Sequence, residues 1–472
     1  MACVIAAPAS GSGKTLLSLV LLAWARSQQL NIQPFKVGPD YLDPQLLSAT
    51  SGNPCRNLDP ILCGEHWVKR SFHGFGGHAH LSLVEGVMGL FDGAGVSEEG
   101  STASVARLLN LPVVLVVDAS GQAASIAALV KGFRDHDKRI NLAGVVLNKV
   151  NSRRHRSLLQ EILESIGIKV LGFLPKDAEL ELPKRHLGLA PAHELENSTL
   201  RLKAWSAIAE AHLDLKSFLF LLKAPTPDED PIQSILDKAQ IPPLKQPPIP
   251  VAVANDQAFH FRYPETKELL EAIGIKILPW KPLNNEVIPS EAEGLILPGG
   301  FPEQHALRLS QSTRSLQSLQ GFFGERPIYA ECGGMLLLGK SITDLEGHSH
   351  LMSGLLPFEA RKGNLNVGYR TLRSSVDGLI VRSGEQLKGH EFHRWQISRE
   401  APYQGMQSMH ALWQVEGWKT KPREEGWSNQ TLHASWAHIH WASSTTICSR
   451  WLDALVTGMK SRAGDSKVKS IQ

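Results

Sequence analysis

Two short segments carry residue types at spacings that can do chemistry. The first is Ala9-Ser-Gly-Ser-Gly-Lys-Thr15, set between an apolar run and a helical stretch. Glycines there let backbone N–H groups wrap phosphate oxygens, and the N-terminus of the following helix favours anions. Ser10, Gly11, Ser12, Gly13, Lys14 and Thr15 are therefore candidate nucleotide-binding residues. Lys14 would reach the outer phosphates, and the Thr15 hydroxyl would ligate Mg²⁺. The full phosphate-loop pattern has a glycine where this chain has Pro8, so the loop is a variant.

The second segment is Pro327-Ile-Tyr-Ala-Glu-Cys-Gly-Gly-Met335: an apolar run, a turn bearing Cys332, a glycine pair and a helical start. This is a nucleophile-elbow arrangement, in which the thiol stands on a tight turn and the next N–H, that of Gly333, can hold an oxyanion. The helix start is expected to lower the thiol pKa. Upstream, Leu297-Pro-Gly-Gly-Phe301 ends another apolar run, and Gly299 or Gly300 could supply a second oxyanion donor. A cysteine nucleophile also needs a base, usually a histidine distant in sequence. Leu432-His-Ala-Ser-Trp-Ala-His-Ile-His-Trp441 offers three. On a strand His438 and His440 would share a face. No third ligand has a matching spacing, so zinc is not expected there.

Carboxylates follow segments that should converge at the carboxyl ends of parallel strands, where open sheets bind ligands. They are Asp40 and Asp43 in Lys36-Val-Gly-Pro-Asp-Tyr-Leu-Asp43, Glu85 and Asp92 in Val84-Glu-Gly-Val-Met-Gly-Leu-Phe-Asp92, and Asp118 after a buried run. Mg²⁺ keeps several waters, so one or two carboxylates suffice. Glu85 ends an apolar strand and is the first choice beside Thr15. Asp43 and Asp92 could instead position substrate or reacting ammonia, and Asp118 could merely cap a turn.

The elements that must position these groups alternate between strand and helix, the pattern of a parallel sheet covered by helices. Strands are expected at Ala2–Ala6, Leu81–Val87, Pro112–Asp118, Leu142–Leu147 and Lys169–Leu174, with helices at Leu16–Gln28, Ala103–Leu109 and Ser157–Ile166. A proline-rich stretch from Ala224 to Pro250 reads as a semi-rigid linker around one short helix. Beyond it come strand Val251–Ala254, helix Glu265–Ile273 and strands Lys276–Leu278, Gly294–Leu297 and Pro327–Ala330. The fold class is α/β. The expected division is a phosphate-loop domain over 1–222, a linker over 223–248, a second domain over 249–460 and a flexible polar tail over 461–472.

Bulk properties agree with two domains: 472 residues exceed one ordinary core, and 42% hydrophobic with 20% charged residues is a globular balance. A net charge of +3 with no basic stripe argues against nucleic acid. No apolar run reaches the roughly 18 residues of a membrane span, and no basic-then-apolar start marks a secretory signal. Five scattered cysteines fit a reducing cytoplasm better than a disulfide framework. A homodimer remains an open option.

Taken together, Ser10–Thr15, Lys36–Pro44, Glu85–Gly93, Arg185-His-Leu-Gly-Leu189, Gly389-His-Glu-Phe-His393 and Ala434-Ser-Trp-Ala-His-Ile-His440 resemble the cobyrinic acid a,c-diamide synthase family. The resemblance runs from about residue 2 to about residue 445, with Glu85–Gly93 and Gly389–His393 its distinctive parts. It implies a dethiobiotin-synthetase-like ATP domain joined to a class I glutamine amidotransferase-like, flavodoxin-like domain. It also implies that the a and c carboxylates of a corrin, cobyrinate or hydrogenobyrinate, are amidated in turn through an acyl phosphate. The ammonia would come from glutamine, with ATP and Mg²⁺ required, in cobalamin biosynthesis. On this likeness Cys332 is the nucleophile and His438 its base, while Asp40, Tyr41, Asp43, Glu85 and Asp92 belong to the synthetase site. Lys184-Arg-His186 would contact substrate carboxylates or be a surface cluster.

Against the pattern of class I amidotransferases, His440 stands where a glutamate completes the triad, leaving the third member open. Ala330 stands where many relatives carry glycine. His390 and His393 are spaced one residue short of a zinc-protease motif. Three rivals stay open: an amidase of cobyric acid precursors, one of nickel-sirohydrochlorin, or an ATPase switch with a non-catalytic amidotransferase-like domain.

Overall fold

The computed structural model describes residues 2–176, 184–185, 188–189, 198–241, 247–402 and 408–469. They form two compact units, Met1–Pro231 and Ile232–Gln472.

The first unit is built on seven parallel strands: β1 (Cys3–Ala6), β2 (Ile32–Val37), β3 (Arg56–Leu58), β4 (Leu81–Glu85), β5 (Val113–Asp118), β6 (Leu142–Asn148) and β7 (Val170–Leu174). Their order is β3-β2-β4-β1-β5-β6-β7. Because β1 lies between β4 and β5, the loops that leave the carboxyl ends of these strands meet. Alternation along β1 sends Val4 and Ala6 into one buried cluster and Cys3 and Ile5 into another, so the sheet is buried on both faces. Helix Lys14–Ser27 is buried over most of its length, including Leu17, Leu19, Val20, Leu21 and Leu22, which suits a central helix rather than a half-solvated one. Strands β2 and β3 have no counterpart in the sequence reading. Pro34, Gln33 and Lys36 interrupt the apolar run of β2, and Arg56-Asn57-Leu58 is mostly polar, yet both strands are fully buried. A two-stranded ribbon follows, β8 (Lys184–Arg185) against β9 (Gly188–Leu189). His186, read with Lys184 and Arg185 as a substrate contact or a surface cluster, lies outside the described residues.

The second unit carries an eleven-stranded mixed sheet. Its parallel part comprises β10 (Ile249–Ala254), β11 (Ile275–Trp280), β12 (Gly294–Leu297), β13 (Ile328–Glu331) and, much later in the chain, β20 (Leu432–Ser435). The order β11-β10-β12-β13-β20 is the 2-1-3-4-5 arrangement of flavodoxin-like sheets. Between β13 and β20 the chain adds β14 (Ser341–Thr343), β15 (Ser349–Leu351), β16 (Glu359–Ser374), β17 (Gln386–Ile397), β18 (His410–Gly417) and β19 (Thr420–Ser428). Of these, β16 pairs antiparallel with both β17 and β18, β18 with β19, and β19 with β20. The stretch from Ser461, read as a loose tail, instead continues helix Thr445–Lys469.

Candidate active sites

In the first unit the phosphate loop leaves β1 and turns into helix Lys14–Ser27 at Gly13, whose φ is +114°. A side chain there would run into Asn148 Nδ2 at 2.3 Å, so the position needs glycine for both angle and space. Asn148, at the end of β6, donates from Nδ2 to the Ser12 carbonyl at 2.9 Å and so fixes the loop from two strands away across β5. The Ser12 hydroxyl closes the loop on Ala9 O at 2.9 Å. Thr15 Oγ1 donates to Glu85 Oε1 at 3.0 Å, which joins β1's loop to the end of β4.

The centre of this site is Lys36, on β2. Its ammonium donates to Asp43 Oδ2 at 2.6 Å, Glu85 Oε1 at 2.8 Å and Gly86 O at 3.2 Å, with Asp40 Oδ2 at 3.8 Å. Burial disfavours this cation, but Asp43, Glu85 and Asp40 outweigh it and hold its pKa well above the ordinary lysine value. Asp43 stays below the usual carboxylate range because Lys36 overcomes the burial penalty. Burial raises Glu85, and burial with the Asp43 charge raises Asp40 to about 7. Glu85 is wholly buried, and its Oε2 accepts no hydrogen bond of ordinary geometry. Lys14 reaches the Met88 carbonyl, presented by a residue at φ +45°, and burial followed by repulsion from Lys36 lowers its pKa to about 8.

Thus Lys14, Thr15, Asp40, Asp43 and Glu85 converge. Asp92 holds the loop after β4 by accepting from Gly89 N at 2.8 Å, and Tyr41 is buried beside Asp40 in the chain. Asp118 stands apart from this cluster. It caps a turn by accepting from Ser120 N at 3.0 Å and pairs with Lys149 at 2.5 Å.

In the second unit β13 ends at Glu331, and Cys332 follows at φ +45° and ψ −111°. A non-glycine residue so placed stores on the order of 1–3 kcal/mol of strain, the expense of standing a thiol on the elbow. Cys332 N donates to Ser435 O at 2.7 Å, which fastens the elbow to the end of β20, and Sγ lies 3.9 Å from Phe392 O. The loop after β12 closes over it: a side chain on Gly333 would meet Gly300 N at 3.0 Å, and one on Gly299 would meet His438 Cε1 at 2.4 Å. Gly299, Gly300, Gly333 and His438 are therefore packed into one site with Cys332.

The thiol differs from expectation. Burial, then the nearby Glu303 charge, push its pKa up, and the Gly333 N–H only partly offsets them. The following helix, Gly333–Leu336, has four residues and is too short to reverse the burial effect.

His438 Nδ1 lies 3.3 Å from Glu331 Oε2. The same carboxylate accepts from Ile439 N at 3.1 Å and from the Tyr329 hydroxyl. His440 turns to a different partner, with Nε2 3.6 Å from Glu265 Oε2. The two histidines thus face separate carboxylates.

Residues 3–189 match the CobQ/CobB/MinD/ParA nucleotide binding domain, and residues 250–446 match the CobB/CobQ-like glutamine amidotransferase domain. A cobyrinate a,c-diamide synthase of Gloeobacter violaceus is 41% identical over 96% of this chain and 96% of its own. One from Synechocystis is 38% identical over 98% and 94%. A hydrogenobyrinate a,c-diamide synthase of Mycobacterium bovis is 38% identical over 96% and 97%. The chain belongs to the cobyrinate a,c-diamide synthase family. Like that family it is a carbon–nitrogen ligase that takes its nitrogen from glutamine and uses ATP. No helix among the described residues is long and apolar enough to cross a membrane.

Within this family member, sequence reasoning passed over three groups and left a fourth without a place at the cysteine site. Lys36 was read only as part of a motif; a lysine inside an otherwise apolar strand was the available signal. Asn148, ending β6, had the same kind of signal. Glu331 sat unread beside the nucleophile. The fourth is the Gly389–His393 segment on β17, which meets the cysteine site through its backbone. His390 exchanges two 2.9 Å backbone bonds with His438, and Phe392 O faces Cys332 Sγ. His393 stacks on Trp436 with centroids 3.8 Å apart, while Glu391 takes Arg370 Nε at 2.8 Å and also binds Arg423. Burial lowers His390 to about 3 and His393 to about 4, so both are neutral packing groups.

Proposed function

We propose that this chain amidates the a and c carboxylates of cobyrinate or hydrogenobyrinate in cobalamin biosynthesis. The observation that carries the substrate is full-length similarity to relatives named for those two corrins, at 38–41% identity. In this reading Ser10, Gly11, Ser12 and Gly13 cradle the ATP phosphates, and Lys14 meets the outer ones. Asp40, Tyr41, Asp43 and Asp92 orient the corrin carboxylate and the incoming ammonia. The carboxylate oxygen attacks the γ-phosphorus, ADP leaves, and ammonia displaces phosphate from the acyl phosphate.

Thr15 Oγ1 and Glu85 would hold Mg²⁺. That role is supported by the buried Glu85 Oε2, which has no ordinary hydrogen-bond partner, and by the all-oxygen donor set. The ion would draw charge from the β- and γ-phosphate oxygens.

Ammonia arises at the second unit. Cys332 Sγ attacks the side-chain amide carbon of glutamine as His438 takes the thiol proton. The N–H groups of Gly333 and of Gly299 or Gly300 receive the oxyanion. The C–N bond then breaks as His438 protonates the nitrogen, leaving a γ-glutamyl thioester that water hydrolyses. A thiol raised by burial supports this assignment, since it needs a base at the moment of attack. The described cysteines are all free, which suits a reducing cytoplasm.

The test is mass spectrometry of products after incubation with glutamine, ATP and cobyrinate, hydrogenobyrinate or nickel-sirohydrochlorin in turn. Two successive replacements of a carboxyl OH by NH₂ on a corrin are expected. Amidation of the nickel compound alone would overturn the substrate assignment.

A further inference from the structure

We infer that Glu331 is the positioning residue that holds His438 for glutamine hydrolysis. The inference rests on the reading of Cys332 and His438 as the glutaminase pair. It fills the place left open by His440, where a glutamate completes the triad of other class I enzymes.

Geometry carries the assignment. Glu331 is the last residue of β13, and His438 follows the end of β20, the adjacent parallel strand in which Glu331 pairs with Ser435. Both side chains are buried, with His438 wholly so, and Oε2 faces His438 Nδ1 at 3.3 Å. The other oxygen is fixed by Ile439 N at 3.1 Å and by the Tyr329 hydroxyl. One carboxylate therefore touches the base, is bonded to the backbone just after the base, and adjoins the nucleophile in the chain. Such a link fixes the register between elbow and histidine more directly than a residue elsewhere in the fold.

The chemistry follows from the tautomer. Nδ1–H donated to Glu331 leaves the lone pair on Nε2, where the Sγ proton must go. As Sγ bonds to the amide carbon, the carbonyl electron pair moves to oxygen and the proton moves from Sγ to Nε2. On collapse that proton passes to the departing nitrogen. Glu331 keeps accepting from Nδ1–H and faces the transient imidazolium, as the third member of a hydrolytic triad does. His440 is engaged elsewhere. Its Nδ1 accepts from Ala442 N at 3.2 Å, its Nε2 faces Glu265, and its ring packs on Tyr263 with centroids 4.3 Å apart.

The experiment measures glutamine- and ammonium-driven synthesis in Glu331→Gln and Glu331→Asp beside Cys332→Ala. Gln keeps the acceptor oxygen but not the charge. Its glutamine-dependent kcat should fall roughly 10²-fold, with KM for glutamine nearly unchanged. Asp, with the charge at shorter reach, should recover about tenfold of that loss. Ammonium-driven synthesis is the reference for an intact second reaction. An unchanged kcat in Glu331→Gln overturns the inference. So does a loss expressed mainly in KM, or one that Asp does not relieve, since either marks a structural role. If Glu331→Gln does not fold, Asp alone decides: a reduced kcat at unchanged KM supports the assignment and a native kcat overturns it. Full glutamine use by Cys332→Ala would instead defeat the underlying glutaminase reading, so the two failures are distinguishable.

Discussion

The two sites share a frame and differ in what they put on it. Each sits on a positive-φ residue just beyond a parallel strand, Gly13 at +114° after β1 and Cys332 at +45° after β13. Gly13 has no room for a side chain because Asn148 closes against it, whereas the elbow accepts strain so that a thiol can stand there. Around the phosphate loop, two lysines, Lys14 and Lys36, and three carboxylates, Asp40, Asp43 and Glu85, form one charge cluster. Around Cys332 the histidines of β17 are neutral, the thiol is raised, and Glu331 is tied to His438 and Tyr329. The first cluster gathers its carboxylates on one lysine, whereas the carboxylates near Cys332 are set on separate partners, Glu331 on His438 and Glu391 on Arg370 and Arg423.

The sharpest break between the two is Cys332→Ala. Glutamine-dependent synthesis should fall by at least ~10³-fold while ammonium salts still drive the reaction. Parallel rate measurements with both nitrogen sources check this, and full glutamine use by the variant would remove Cys332 from the mechanism. Lys36→Met is the converse. It strips the cation on which Asp40, Asp43 and Glu85 converge, leaving the buried Glu85 and the partly buried Asp40 and Asp43 without that partner. Both nitrogen sources should lose about 10²-fold, because acyl activation is common to them, and the first unit should lose roughly 3–5 kcal/mol of stability. Retained ammonium-driven turnover would put Lys36 outside the reaction.

The unequal legibility of the two sites has the same origin. Glycines, a Lys-Thr pair and a cysteine flanked by glycines leave local marks, because each turn demands those residue types at fixed offsets. The apolar runs of β1, β5, β10, β12 and β13 were legible for the same reason, being buried on both faces. Lys36 and Glu331 act through partners 49 and 107 positions away, Glu85 and His438, and no local spacing announces such pairs. The antiparallel strands β16–β19 alternate buried and exposed residues irregularly and so left no periodic signal. The thiol was misjudged because a short helix suggested a lowered pKa, while burial, a property of the whole unit, decided the opposite.

A smaller effect perturbs the cysteine site at a residue that has no side chain of its own. An alanine at Gly299 would place a methyl 2.4 Å from His438 Cε1 and push the ring from its seat. Glutamine-dependent kcat should drop about tenfold with ammonium-driven synthesis unaffected. Equal losses with both sources would mean that Gly299 serves the fold rather than the histidine.

The smallest effect compares one raised carboxyl in each unit. Burial and the Asp43 charge lift Asp40 to about 7, and burial lifts Glu303 to about 8. Their unfolded values lie near 3.9 and 4.3, so at intermediate pH the native state holds protons that the unfolded chain has lost. Stability contributed by these groups is then present at low pH and declines as pH rises through those windows. Asp43, shifted the other way, changes only at pH values below that window. Asp40→Asn keeps an acceptor for Leu42 N and Asp43 N. Its melting temperature relative to the native chain should therefore rise by roughly 3–6 °C between pH 4.5 and 7.5, and Glu303→Gln should show the same sign in the second unit. Salt should separate them. The Asp40 side chain is 27% exposed and part of its shift is a charge–charge effect, so added salt should shrink its gain, whereas a shift due to burial should persist. Equal salt responses would mean that burial, rather than Asp43, governs both.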